Sequence, residues 1–93
     1  MDKIELGGNI CLEGFSSLEK AHLVVVKKIV GSFARAISEK GRKFEKLTVG
    51  MEKGSDGYKI TVTLLTEGNE NKVEAGSNNL FSAIDGALKK LSE

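Results

Sequence analysis

The sequence predicts an α+β fold, a two-layer sandwich with a four-stranded sheet and both helices on one face of that sheet. Two segments show the apolar period of an amphipathic helix, and the remaining segments alternate apolar and polar residues as strands do. The order of these periods is β-α-β-β-β-α. Because each alternating strand has one apolar and one polar face, both helices must cover the same face. The 93 residues are predicted to form one domain, residues 1–93.

The first predicted strand contains Ile4 and Leu6, which alternate with charged residues up to a pair of glycines. Beyond the glycines, Ile10 and Leu12 keep the same spacing of two residues. We therefore expect them to continue the first strand beyond a bend, so that this part of the chain contributes one strand to the sheet.

The first helix is predicted to begin near Ser16, which stands three residues before Glu19 as in a capping box, and to end near Glu39. Gly41 is a plausible C-terminal cap. One arc of the helix is apolar and should face the core; it consists of Leu23, Val26, Ile29, Val30, Phe33 and Ile37.

The period then changes to two in a pair of strands whose apolar positions are Leu47, Val49 and Met51, then Tyr58, Ile60, Val62 and Leu64. Residues 54–57 form a predicted hairpin turn between them. Residues 68–71 form a second turn, which leads to a short strand around Val73. Ser77 or Asn78 is predicted to cap a last helix, whose apolar face contains Leu80, Phe81, Ile84, Leu88 and Leu91.

The composition excludes several classes of protein. A single cysteine, Cys11, forms no intrachain disulfide and fits a reducing compartment. Together with the one histidine, His22, it supplies too few ligands for a zinc site. The longest apolar run, residues 23–26, is far shorter than the roughly 20 residues of a membrane span. We therefore expect a cytoplasmic protein with no membrane contact, no metal and no cofactor.

Catalysis is not indicated by any residue pattern. Cys11 and His22 are the only pair that could act as nucleophile and base, but no catalytic motif surrounds either residue. A cysteine between two aliphatic residues is more often a small buried side chain. The glycines match neither a dinucleotide-binding fingerprint nor a P-loop. The sequence therefore predicts no enzyme and no small-molecule substrate.

Charge is distributed unevenly along the chain, although the net charge is only +1. Residues 20–59 hold ten basic and four acidic residues, a local net charge of +6, and the two ends hold four basic and nine acidic residues, a net of −5. The protein thus has a basic middle and acidic ends.

The basic middle is the best candidate for a binding surface. Four cations of the first helix lie opposite much of its apolar arc, with the small residues Gly31 and Ser38 among them, and the loop at 40–46 extends the positive charge. Spaced cations of this kind neutralise phosphates whatever the nucleotide sequence. The alternative, a merely solvated basic face, remains open at this point. The candidate RNA-binding residues are Lys20, Lys27, Lys28, Arg35, Arg42 and Lys43.

The last helix resembles that of a known family. Its residues 79–91, Asn-Leu-Phe-Ser-Ala-Ile-Asp-Gly-Ala-Leu-Lys-Lys-Leu, are similar to the closing helix of the ribosome hibernation-promoting factors, the group of the ribosome-associated inhibitor and protein Y. Val73-Glu74-Ala75 precedes it as the last strand of the family does. Residues 4–9, Ile-Glu-Leu-Gly-Gly-Asn, look like the family's first strand and its Gly-Asn turn. The order β-α-β-β-β-α is also that of the family.

The resemblance implies a function in translation. Members of the family bind the small ribosomal subunit in the channel used by mRNA and tRNA, and so silence idle ribosomes during stress. Their helices contact ribosomal RNA through basic residues. Carried over, this implies RNA contacts by Lys27 and Lys28 of the first helix and by Lys90 of the last, with Lys89 beside it.

Two other functions are weighed against this one. A protein-interaction or weakly self-associating module would explain the acidic ends and Val24, an apolar residue within the basic arc. A double-stranded RNA-binding domain shares the α-β-β-β-α part of the order. That family places a lysine cluster at the start of its last helix, whereas this chain has Ser-Asn-Asn at 77–79, so we rank it lower.

Overall fold

Five strands and two helices account for most of the residues that the computed structural model describes, which are 3–6, 9–15, 18–39 and 44–92. In chain order they are β1 (Lys3–Leu6), β2 (Ile10–Glu13), α1 (Lys20–Glu39), β3 (Lys46–Gly54), β4 (Gly57–Thr66), β5 (Asn69–Ser77) and α2 (Leu80–Ser92). The predicted α+β class with two helices is confirmed.

The sheet has five strands in the order β1-β2-β3-β4-β5, so the prediction of four strands is wrong. β1 and β2 are separate antiparallel strands, with Ile4 opposite Leu12 and Leu6 opposite Ile10. A bent strand and a hairpin place these four residues on the same face, so the alternation cannot distinguish them. β2 and β3 pair in parallel through the α1 crossover, and the remaining neighbours are antiparallel.

Both helices pack on one face of the sheet and share a single apolar core with it. The strand residues buried in this core are Leu12, Leu47, Val49, Ile60, Val62 and Leu64. They alternate with residues of the opposite face, where Thr48 stands directly across from Thr63. That second face is polar, as the alternation predicts. β2, β3 and β5 run in the same direction. α1 follows β2 and α2 follows β5, and each helix runs back across the sheet, so the two helices are parallel to each other.

The predicted apolar arc of α1 is confirmed, since Val26, Val30 and Ile37 are buried and the other three members are partly buried. The cap of α2 differs from the prediction by one or two residues. Asn79 accepts a hydrogen bond from the Ser82 amide through Oδ1, at 3.1 Å, and is therefore the N-cap. The predicted start of α1 near Ser16 is wrong, because the helix begins at Lys20 and its first described backbone bond runs from the Leu23 amide to the Glu19 carbonyl. Ser16 and the predicted C-terminal cap Gly41 themselves lie outside the described residues.

The turn between β3 and β4 is where the sequence predicts it, with Gly54 paired to Gly57. The next turn is shorter than expected. Glu67 and Gly68 both have positive φ, of 48° and 81°, which is the conformation of a tight two-residue hairpin. The predicted turn at 68–71 is therefore wrong, and β5 already begins at Asn69.

The chain leaves β2 through a glycine that no other residue could replace without strain. Gly14 has a φ of +79°, and a Cβ at this position would lie 2.5 Å from the carbonyl oxygen of Met51 in β3. Only glycine combines this conformation with so close an approach of two backbones. The turn directs the chain from the sheet toward the start of α1, whose outer surface carries the candidate site.

Candidate nucleic-acid interface

The outer surface of α1 carries four exposed cations, Lys20, Lys27, Lys28 and Arg35. We call these four residues the α1 cations. The helix contains one acidic residue, Glu39, so its four positive charges and one negative charge give a net of +3. Burial of the opposite arc in the core fixes the direction in which this surface faces. The first helix therefore presents a positively charged surface to solvent.

The α1 cations have no partner among the described residues, which sets them apart from most other cations of the protein. Of the seven described cations outside α1, five are engaged. Lys3 pairs with Glu13 at 3.7 Å and Lys59 with Glu74 at 3.4 Å. Lys53 lies over the Tyr58 ring, and Lys89 pairs with Asp85. Lys90 donates a hydrogen bond to the Glu74 carbonyl.

The positions of the α1 cations do not stabilise the helix. Lys20 is its first residue, where the positive end of the helix dipole disfavours a cation. The last turn, where a cation would be favourable, has none. The only acidic residue at helical spacing is Glu39, four residues after Arg35, and this order of charges is the weaker one. Helix stability therefore does not explain why these residues are basic.

The α1 cations form two rows with a gap between them. Lys20 and Lys27 are seven residues apart, as are Lys28 and Arg35, so each pair spans two turns or about 10 Å along the axis. Gly31 lies between the rows, and a Cβ added there would meet nothing within 4 Å. A glycine inside a helix costs about 1 kcal/mol relative to alanine. Packing within the protein does not account for this glycine, whereas a close-lying phosphate backbone would.

The two lysines of α2 point in different directions. Lys89 pairs with Asp85 at 3.2 Å and lines a groove between the helices that Lys28 also lines. Lys90 is on the other side of α2, where its Nζ donates a hydrogen bond to the Glu74 carbonyl of β5 at 2.9 Å. Adjacent residues of a helix are about 100° apart, which accounts for the divergence.

The structure therefore exposes four of the eight predicted RNA-binding residues on α1 and brings a fifth, Lys89, to the groove that Lys28 lines. The four are the α1 cations. Lys90 lies apart at the β5 edge of the sheet. Arg42 and Lys43 lie outside the described residues.

Two valines of α1 are exposed, and one of them lies within the positive surface. Val24 is 51% exposed and Val25 is 41% exposed, and they are the large apolar residues of the described chain that are most accessible to solvent. Val24 is four residues from both Lys20 and Lys28, so it lies among the α1 cations. A partner that contacts the cations would also meet an apolar side chain here.

Cys11 and His22 are not brought together. Cys11 is buried on β2, next to Leu12, and alternation directs it to the sheet face opposite the helices. His22 is exposed on α1, and its ring packs edge-on against Phe81 of α2 with 5.9 Å between centroids. The predicted burial of the cysteine is confirmed. The contact between the two rings depends on how the helices pack, which the sequence pattern does not specify.

Sequence comparison does not assign the chain to a known family. A scan against protein-family models finds no match, and a search of the curated proteins finds none either. Within the described residues, neither helix is long and apolar enough to cross a membrane. The geometry and charge of the α1 surface are therefore the features from which function is inferred.

Proposed function

We propose that this protein is a non-catalytic RNA-binding regulator that binds the small ribosomal subunit and suppresses translation, as hibernation factors do under stress. The observation that supports the proposal is the set of four α1 cations, which are exposed and lack partners among the described residues. The resemblance of residues 79–91 to the closing helix of those factors supplies the choice of the ribosome as the RNA partner.

Phosphate contacts explain why such a surface would be useful without any base-specific motif. Each lysine or arginine that neutralises a phosphate releases condensed counterions, which contributes binding free energy for any sequence. Aromatic side chains for stacking on single-stranded bases are scarce, because Phe33, Tyr58 and Phe81 pack against the core. The surface is therefore suited to a folded RNA that presents its backbone, as ribosomal RNA does.

Co-sedimentation with purified small subunits tests the proposal. The protein should move with the subunit peak at low salt and shift to the top of the gradient as salt rises. Four phosphate contacts predict that the logarithm of the binding constant falls with the logarithm of salt concentration with a slope of about −3. Protein that stays at the top of a low-salt gradient would contradict the proposal.

The exposed valines favour a second candidate function, a protein-interaction module that retains the fold without binding ribosomes. Val24 and Val25 are the residues that a protein partner would bury. The two functions make different predictions for salt, because burial of apolar surface persists at high salt whereas phosphate contacts weaken. A complex that survives at high salt and is lost on replacing both valines by serine would favour this second candidate.

A further inference from the structure

The two helices enclose a groove whose apolar walls take no part in the proposed RNA contacts, although Lys28 stands at its rim. α1 and α2 meet near their N-terminal ends, where His22 packs on Phe81. Further along the two helices, between the segments 28–37 and 85–91, lies a groove of about 550 Å³. This volume is within the range of small-molecule sites.

The walls of the groove are apolar and its rim is charged. The apolar lining consists of Ile29, Phe33, Ile37, Leu64, Leu88 and Leu91. Lys28 and Lys89 stand at the rim together with Asp85, which pairs with Lys89 at 3.2 Å. Two positive charges and one negative charge give the rim a net of +1. Lys28 has no partner among the described residues, so its ammonium group can receive an anion.

The shape of the groove selects among apolar ligands. Its lining on α1 extends from Lys28 to Ile37, which is about 13 Å along the helix axis. An elongated apolar site between two helices fits an unbranched alkyl chain, and a cation at the rim fits a carboxylate at the end of that chain. We propose that the groove binds a free medium-chain fatty acid, with its chain between the helices and its carboxylate at Lys28.

Titration with decanoate, followed by the amide signals of the isotopically labelled protein, tests this proposal without reference to RNA. We expect saturable shifts that are concentrated in residues 28–37 and 85–91. Octanoate should bind roughly tenfold more weakly, because two fewer methylene groups leave water. Shifts that do not saturate, or that spread evenly over the protein surface, would overturn the proposal.

Two pairs of variants locate the chain and the carboxylate. Ala36 and Ala21 are both exposed on α1, but only Ala36 lines the groove. Ala36→Trp should therefore abolish decanoate binding while Ala21→Trp retains it. Lys28→Gln should weaken decanoate binding about fivefold and leave binding of the neutral decanol unchanged, whereas Lys20→Gln should change neither. If Ala36→Trp does not fold, Ser32→Phe serves in its place, because Ser32 is also exposed and lines the groove.

Equal decanoate affinity in both tryptophan variants would overturn the proposal. So would signal broadening that grows with protein concentration in the absence of ligand and disappears in Ala36→Trp, because a second copy of the chain would then be the occupant.

Discussion

Lys90 donates a hydrogen bond from its Nζ to the backbone carbonyl of Glu74, at 2.9 Å, and so connects the last turn of α2 to the edge strand β5. The bond satisfies an outward-facing carbonyl of a strand that has a neighbour on one side only. Edge strands that keep such groups open are templates for pairing with other chains, and lysine is a common protection. The residue that the resemblance assigns to RNA thus has a structural contact of its own.

Lys90→Met should lower the free energy of unfolding by about 0.5–1 kcal/mol, because the carbonyl of Glu74 loses a charged donor. Lys28→Met is the matched control, since Lys28 is also an exposed helical lysine but has no partner among the described residues. Urea denaturation of both variants measures the difference. Equal stability of Lys90→Met and the original protein would show that the contact contributes nothing to the fold.

Substitutions of Gly31, which lies between the α1 cations, should have different effects on the stability of the protein and on its binding of RNA. Gly31→Ala should raise the free energy of unfolding by about 1 kcal/mol, because alanine is the better helix former and its Cβ meets nothing within 4 Å. Gly31→Leu should also fold, but its larger side chain should keep a phosphate backbone away from Lys27 and Lys28 and weaken RNA binding. Thermal unfolding and a filter-binding assay measure the two effects. Undiminished RNA binding by Gly31→Leu would contradict a close approach at this position.

The glycine after β2 should be intolerant of any side chain. Gly14→Ala should lower the free energy of unfolding by about 2 kcal/mol or more, since it combines an unfavourable φ with a clash against the carbonyl oxygen of Met51. Gly68→Ala is a useful comparison, because Gly68 also has a positive φ, of 81°, but a Cβ there meets nothing within 4 Å. The difference between the two variants in urea denaturation isolates the contribution of the clash. Similar losses in both would contradict it.

The exposed valines test the alternative function. Val24→Ser with Val25→Ser should leave the free energy of unfolding within about 0.5 kcal/mol of its original value, because both side chains already face solvent. Under the RNA-binding account, co-sedimentation with small subunits should persist in this variant. Complete loss of co-sedimentation, although the α1 cations are intact, would show that apolar contacts of the valines rather than the positive charges hold the partner.

The fold is largely predictable from the sequence because most core residues repeat at a clear period; Phe15, which is fully buried between β2 and α1, does not. The arc of Val26, Val30 and Ile37 identifies α1, and alternation identifies β3 and β4. The hairpin of β1 and β2 is not predictable from alternation. Leu6 and Ile10 lie on the same face of the sheet whether the chain bends within one strand or reverses between two. The hydrogen bond of Lys90 to the Glu74 carbonyl is not predictable either, because it produces no repeating pattern in the sequence.

Some features of the candidate site could be predicted from the sequence. Exposure of Lys27 and Lys28 follows from their place on the helical wheel, and the divergence of Lys89 from Lys90 follows from the helical rotation between neighbours. The groove between the helices was not predictable, because its volume depends on the distance at which α1 and α2 pack. That distance is set by contacts such as His22 with Phe81, which are far apart in sequence.

The central claim is that the α1 cations, rather than positive charge in general, hold RNA. Two double variants with the same change in net charge test it most directly: Lys27→Glu with Lys28→Glu on α1, and Lys46→Glu with Lys72→Glu on the polar face of the sheet. All four lysines are exposed and lack partners among the described residues. Affinity for the small ribosomal subunit at low salt should fall at least about tenfold in the α1 variant and less than about threefold in the sheet variant. Equal losses in the two variants, or none in either, would contradict the claim.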